Sequence, residues 1–307
     1  MAGNCSLLRP SASAVGLFCF MRKEYRVAGR HRELNLGART WIMGIINVTP
    51  DSFHPGTRSG DAKGAVNIAA EMIRQGADIL DVGGESTRPG AEPVMLDEEL
   101  RRVIPVIRTI RGMTGIPVSV DTRKSEVAAA ALETGADLVN DVSGFRDDPA
   151  MAEVVARYGA AAVVMHLRGN PKTMQLAPPS DDILSEARSS LQKSLDRAAV
   201  AGLSRDKIII DPGIGFGKSP QDNLQILRNL DFLQELDRPI LVGPSRKSFI
   251  ETTLAGPDED CDRRLWGTAA AVTSAILAGA HIIRVHDVAA MKSVAAIADA
   301  LARIGHA

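Results

Sequence analysis

Trp41-Ile-Met-Gly-Ile-Ile-Asn47 is an apolar, partly β-branched run that stops on a side-chain amide. Short apolar runs of the same kind recur at Asp78–Val82, Pro117–Asp121, Leu138–Asp141, Ala162–His166, Ile208–Asp211, Ile240–Val242 and Ile282–His286. Such runs read as strands buried on both faces, the pattern of a parallel sheet. Between them stand stretches with helical spacing: Lys63–Gln75, Leu96–Arg111, Ser125–Thr134, Pro149–Tyr158, Asp182–Ala201, Pro220–Leu236, Leu265–Ala278 and Val288–Arg303. Strand followed by helix, eight times over, predicts eight βα units. That number favours a closed, parallel (β/α)8 TIM barrel over a doubly wound sheet, so the expected class is α/β with a single domain. The barrel is expected over residues 31–307, preceded by a poorly ordered N-terminal extension over residues 1–30.

Gln75-Gly-Ala-Asp78, Thr134-Gly-Ala-Asp137 and Ala278-Gly-Ala-His281 echo one another ahead of three of the strands. Glycine in this setting is expected to end the helix and turn the chain into the next strand.

With 45% hydrophobic and 24% charged residues, the 307-residue chain has ordinary globular usage. A formal net charge of -1 provides no broad field for nucleic acid or an anionic membrane, so an anionic ligand must be met locally and the expected partners are small molecules. Cys5, Cys19 and Cys261 stand far apart, which suggests neither a disulfide framework nor a zinc site and fits a reducing cytoplasm. No apolar run approaches the roughly 18 residues of a membrane span. Ala14–Met21 is a short apolar stretch without the flanks of a secretory signal, and Met21 is a second candidate start because the patterned sequence begins after it.

Polar residues gather at one end of the predicted strands. Asn47, Asp121, Asn140, Asp141, His166, Asp211, Arg284 and His286 all fall at or just past a strand's C-terminal end. One such residue is ordinarily a turn cap, but eight on one rim of a barrel mark its active-site face. Loops longer than the usual connection follow the first, second and fifth strands, at Thr49–Gly60, Gly83–Pro93 and Leu167–Ser180. Gly217-Lys218-Ser219 ends like a nucleotide-binding loop, but Gly213 stands one residue too close to it for that motif.

Seven segments carry a resemblance: Ile45-Ile-Asn-Val-Thr-Pro-Asp-Ser-Phe53, Gly83-Gly-Glu-Ser-Thr-Arg-Pro-Gly90, Ser119-Val-Asp-Thr122, Asn140-Asp-Val-Ser-Gly144, Asp211-Pro-Gly-Ile-Gly-Phe-Gly-Lys218, Ser245-Arg-Lys-Ser-Phe249 and Arg284-Val-His-Asp287. In this order, each at a strand end, they resemble the motif set of the dihydropteroate synthases from Met43 to the C-terminus. The resemblance implies a TIM-barrel transferase of folate biosynthesis, the target of sulfonamides. It would condense (7,8-dihydropterin-6-yl)methyl diphosphate with p-aminobenzoate to give 7,8-dihydropteroate and diphosphate. It also implies Mg²⁺ as cofactor and a cytoplasmic homodimer assembled through barrel helices.

The chemistry of the substrates agrees with the residue types. A pterin edge presents adjacent N–H donors beside acceptors, which a carboxylate at Asp211 with Asn140 and Lys247 can complement, while Asp121 is placed to meet the ring from another strand. Arg284 and His286 are two apart on one strand, so they share a face and are expected to hold the diphosphate, the arginine as a fork. Asn47 lies on the neighbouring first strand, and its amide oxygen suits Mg²⁺ on a diphosphate. Ser86, Thr87, Arg88 and Pro89 on the second loop, Phe216, and Ser248 near a helix N-terminus are expected around p-aminobenzoate. On this reading Arg284→Ala lowers turnover by more than about tenfold and leaves pterin affinity in the absence of diphosphate nearly unchanged. The chain departs from the family pattern at His54-Pro-Gly-Thr-Arg58 in the first loop and at Ile214. Two rivals are a pterin-dependent methyltransferase on the same barrel, which needs neither Ser86–Pro89 nor Arg284 with His286, and a catalytically silent pterin-binding paralogue, which turnover separates.

Overall fold

A computed structural model describes residues 22–49, 62–86, 90–170, 174, 180–254 and 261–304. Eight parallel strands form one sheet: β3 Trp41–Asn47, β4 Ile79–Gly83, β5 Val118–Asp121, β6 Leu138–Asp141, β7 Ala161–Met165, β8 Ile208–Asp211, β9 Leu241–Val242 and β10 Ile282–Val285. They are ordered β8-β7-β6-β5-β4-β3-β10-β9, and a parallel bridge between Ile210 and Ile240 joins the two ends into a ring. The chain is therefore the closed barrel that the eight runs predict.

Helices α1 Ala62–Arg74, α2 Leu96–Met113, α3 Ser125–Thr134, α4 Met151–Arg157, α5 Ile183–Val200, α6 Pro220–Arg228, α7 Ser248–Leu254, α8 Cys261–Leu277 and α9 Val288–Arg303 surround it. The stretch expected as one helix over Pro220–Leu236 breaks at Asn229 and continues as a 3₁₀ helix, Leu230–Leu236. The seven-residue α7 begins at Ser248, which was expected near a helix N-terminus, but the helix itself is not among the stretches expected from spacing. Gly76, Gly135 and Gly279, the glycines of the three echoes, all have positive φ and turn the chain into β4, β6 and β10.

An antiparallel hairpin, β1 Tyr25–Ala28 with β2 Glu33–Leu36, precedes the barrel. The expected domain limit at residue 31 cuts through it, and packed structure reaches back to Arg22. That arginine donates from Nη1 to Thr40 Oγ1 at 2.6 Å and to the Ala280 carbonyl at 2.9 Å, and is paired with Asp299 on α9. Alternate residues of a strand face opposite ways. One set, including Ile42, Leu80, Val120, Val139, Val164, Ile210 and Ile283, packs against the helices. The other, Met43, Ile79, Leu138, Ala161, Val163, Ile209, Leu241 and Ile282, forms an apolar layer inside the ring, where Val27, Leu34 and Leu36 of the hairpin close its lower end. Each such side chain contributes about 1.5–3 kcal/mol relative to exposure.

Candidate active site

The site lies one pleat above that apolar layer. Two residues along from Ile79, Leu138, Ile209 and Ile282 come Asp81, Asn140, Asp211 and Arg284, so the strand period carries them to the same interior face. Asp121, at the end of β5, is the in-register partner of Asn140 on β6. The sequence thus changes from apolar to charged at a fixed height in the barrel, on the side where the βα loops emerge.

Arg284 is the centre of this layer. Its Nε donates to Asp81 Oδ2 and its Nη2 to Asp121 Oδ2, both at 2.7 Å. Asn140 Nδ2 donates to the same Asp81 Oδ2 at 3.0 Å. Burial disfavours the Arg284 cation, but Asp81 and Asp121 more than offset it and raise its pKa. Burial likewise pushes Asp121 up to about 7, an effect opposed by Arg284 and reinforced by Asp81, Glu99 and Asp141. The fork expected to await a phosphate is turned inward onto two carboxylates.

Asp211 is buried and accepts from the Gly213 amide at 2.7 Å. Burial raises it to about 6, against the Gly213 bond and the positive charges of Lys218, Lys247 and Arg284. The loop beyond it is tightly specified. Gly213 has φ +70, and a Cβ there would stand 2.0 Å from the His166 carbonyl, so no other residue fits without moving the backbone. At Gly213 the close approach is thus to the His166 backbone. Lys218 closes the loop from within, donating to the carbonyls of His166, Gly213 and Phe216 at 3.1, 2.7 and 3.1 Å. Burial lowers its pKa to about 7, although Asp211 and Glu186 favour the charge. Ser219 then caps α6 in a reciprocal box with Asp222.

Phe216 packs with Val142, Met165, Leu167 and Met174, and the Lys247 ammonium sits 3.8 Å from its ring centroid. One aromatic face thus carries the lysine, and the two expected ligand contacts are neighbours. His286 Nδ1 lies 3.0 Å from Ser245 Oγ, which also accepts from the His286 amide at 3.3 Å. Burial, with Arg284 and Arg246 nearby, lowers its pKa to about 3, so the imidazole is neutral. A ring proton on Nε2 satisfies this arrangement, with the serine hydroxyl donating to Nδ1. Arg284 and His286 therefore have separate partners. Ser248 is exposed at the start of α7, and Asn47 is half-buried at the end of β3 opposite Gly83. Ser86 is half-buried on the second loop; Thr87, Arg88, Pro89 and the first-loop departure His54–Arg58 lie outside the described residues.

Two of the eight rim residues serve the scaffold. Asp141 accepts from the amides of Ser143 and Phe145, both at 2.8 Å, and caps a turn. His166 is buried behind the glycine loop, and burial together with Lys218 and Arg168 lowers its pKa to about 2.

Sequence reasoning missed Asp81, Lys218 and the support of the second loop. Glu85, at the loop's base, takes Lys124 at 2.7 Å and the Val94 amide at 3.0 Å, and also pairs with Arg123. Lys124 bridges on to buried Glu99, which accepts from Thr122 Oγ1 at 2.6 Å. The signal for Asp81 was present: an aspartate inside Ile79-Leu-Asp-Val-Gly83, where a fully buried strand ordinarily carries only apolar residues.

Among the described residues no three His, Cys, Asp or Glu side chains form a metal cluster. The Asn47 amide offers one neutral oxygen without a carboxylate cluster around it among the described residues, which fits Mg²⁺ carried in by a diphosphate and does not fit a resident metal cage. No helix among the described residues is long and apolar enough to cross a membrane.

A family model described as pterin binding enzyme matches residues 43–286. A dihydropteroate synthase of Synechocystis is 48% identical over 267 residues, covering 87% of this chain and 92% of its own. The solved dihydropteroate synthase of Xanthomonas albilineans with 4-aminobenzoic acid is similar at TM-score 0.83 and 41% identity, covering 91% of this chain and 98% of that one. One from Clostridium difficile, in the presence of pteroic acid, has TM-score 0.81 and 43% identity, with 87% and 98% covered.

Proposed function

The chain belongs to the pterin-binding enzyme family, within it to the dihydropteroate synthases, and from that premise we propose how its residues perform the condensation. The reaction joins (7,8-dihydropterin-6-yl)methyl diphosphate to p-aminobenzoate and yields 7,8-dihydropteroate and diphosphate.

The pterin lies over the polar layer. Asp211 accepts from the adjacent N–H donors of its edge, Asn140 and Lys247 bind the remaining edge, and Asp121 meets the ring from β5. The bond from the methylene carbon to the diphosphate oxygen breaks early, the electron pair leaving with the diphosphate, because the electron-rich ring spreads the developing positive charge. The ionised forms of Asp121 and Asp211 favour that charge, and Arg284 with the Nε2–H of His286 meets the departing oxygens. Asn47 would hold Mg²⁺ brought by the diphosphate, and when bound that ion neutralises leaving-group charge. The amine lone pair of p-aminobenzoate, seated by Ser86–Pro89, Phe216 and Ser248, forms the new C–N bond, and the anilinium proton passes to diphosphate or water. No side chain acts as nucleophile.

The observation that carries this reading is the Asp81–Arg284–Asp121 bridge set beside Asp211: carboxylates for an N–H-rich ring and a cation for its leaving group share one buried layer. The protein is further proposed to be a cytoplasmic homodimer through α8 and α9, supported by Trp266 on α8, Ile297 and Leu301 on α9 and Ile304 just past its end, all apolar and 48–71% exposed. The test is diphosphate release by purified protein given the pterin diphosphate and Mg²⁺, with and without p-aminobenzoate. Release that requires p-aminobenzoate and forms dihydropteroate is expected; tight binding of the pterin diphosphate without turnover overturns the reading in favour of the silent paralogue.

A further inference from the structure

Asp81 has no place in the reaction as described so far, yet it is fully buried at the centre of the polar layer. Its Oδ2 accepts from both Arg284 Nε and Asn140 Nδ2, side chains from β10 and β6 that face each other across the barrel. Its Oδ1 is buried and has no hydrogen-bond partner among the described residues. A carboxylate kept only for stability would have both oxygens satisfied, and an apolar replacement of a buried ion pair is often neutral or stabilising. Stability does not account for Asp81.

We propose that Asp81 is a positioning residue that fixes Arg284 and Asn140 together, acting as the pivot on which the arginine passes from Asp121 to the diphosphate. The inference rests on the reading above. For Asn140 the consequence is a locked amide. Turning it over would bring its oxygen against the carboxylate, so its carbonyl and second N–H keep one orientation towards the pterin. For Arg284 the consequence is a hinge. Nε stays on Asp81 while Nη2, the nitrogen bonded to Asp121, exchanges that carboxylate for an anionic oxygen. The exchange frees Asp121 for the pterin as the diphosphate arrives, so neither carboxylate nor cation is left unpaired in the buried layer.

The test uses the full chain and two probes, inorganic diphosphate and 6-hydroxymethylpterin, titrated calorimetrically into the parent and Asp81→Asn. A shared hydrogen bond to a charged group is worth enough that each affinity should fall about tenfold. The positioning role appears in the double variants: with Arg284→Ala the loss for diphosphate, and with Asn140→Ala the loss for the pterin, should each shrink to less than about twofold. Losses that multiply instead, or affinities unchanged by Asp81→Asn, overturn the proposal. Should Asp81→Asn not fold, arginine-labelled parent protein decides by NMR. The Arg284 Nε–H should stay protected from exchange on adding diphosphate while the Nη signals move; loss of Nε–H protection overturns the hinge. Turnover by the unmodified chain, measured alongside, tests the synthase reading separately, because the binding arms decide the role of Asp81 by themselves.

Discussion

Arg284→Met removes the cation from between Asp81 and Asp121 while keeping most of the side chain's volume. Breaking a buried pair by removing one partner costs about 3–5 kcal/mol, because the remaining charge is left uncompensated. The loss should depend on pH in a direction fixed by Asp121. Burial raises this carboxyl to about 7, well above its unfolded value, so the native state binds the proton more tightly and stability falls as pH rises through that value. Arg284 is the group that holds the pKa down, so its removal pushes the midpoint higher still. Below about pH 7 Asp121 is protonated in parent and variant alike, whereas above it the variant's extra cost should grow by about 1.4 kcal/mol per pH unit until its own midpoint is reached. Urea unfolding at about pH 5.5 and about pH 8.5 measures the difference, expected to be about 2 kcal/mol larger at the higher pH. A penalty equal at the two values would refute the electrostatic account of the layer. Turnover should fall by more than about tenfold. Pterin affinity should fall as well, contrary to the separation expected from sequence, because Arg284 touches Asp121 directly and Asn140 through Asp81.

Lys247→Ala should weaken 6-hydroxymethylpterin binding by about tenfold through loss of the ammonium over Phe216, with diphosphate binding changed less; calorimetry with the two probes distinguishes them, and equal losses would contradict the assignment. Pterin affinity of the parent should decline as pH falls below about 6 and recover on return, since protonated Asp211 no longer accepts two donors; a flat profile from pH 8 to about pH 5 would exclude its role as the edge reader. Gly213→Ala should abolish soluble, folded protein or lower its melting temperature by several degrees, because the new methyl group meets the His166 carbonyl at 2.0 Å; unchanged melting would mean the loop is laxer than described.

The barrel was legible because each strand is a compact apolar run and each helix a long amphipathic one, so alternation alone counts the units. The hairpin was not: Tyr25–Ala28 and Glu33–Leu36 are four-residue strands whose buried residues, Val27, Leu34 and Leu36, make no sustained pattern. Asn229 ends α6 by carrying a non-helical backbone at φ -119, ψ 37, in a stretch whose apolar spacing continues into the 3₁₀ turn. At the site, the strand-end rule found Asp121, Asn140, Asp211 and Arg284, because an interior position above an apolar layer requires a reason to be polar. It passed over Asp81 because that residue lies inside its strand, and over Lys218 because its ammonium folds back onto its own loop's carbonyls, a partnership that no linear spacing displays. The direction of the Arg284 fork was equally invisible, being set by carboxylates on β4 and β5, 203 and 163 residues earlier in the chain.

The position of β10 bears on how such a molecule comes together. This strand, late in the chain, slots between β3 and β9 and brings with it Arg284. Until it arrives the ring has a gap, and Asp81 and Asp121 already face one another with no counter-ion. Without β10 the other seven strands of the barrel lack their clasp, and the burial that already raises Asp121 is no longer opposed by Arg284. The same late step supplies α9, whose Asp299 receives Arg22 across 277 residues of sequence. Closure of the ring, charge balance in the polar layer and the fastening of the two ends of the fold therefore all depend on one late segment, β10 with α9.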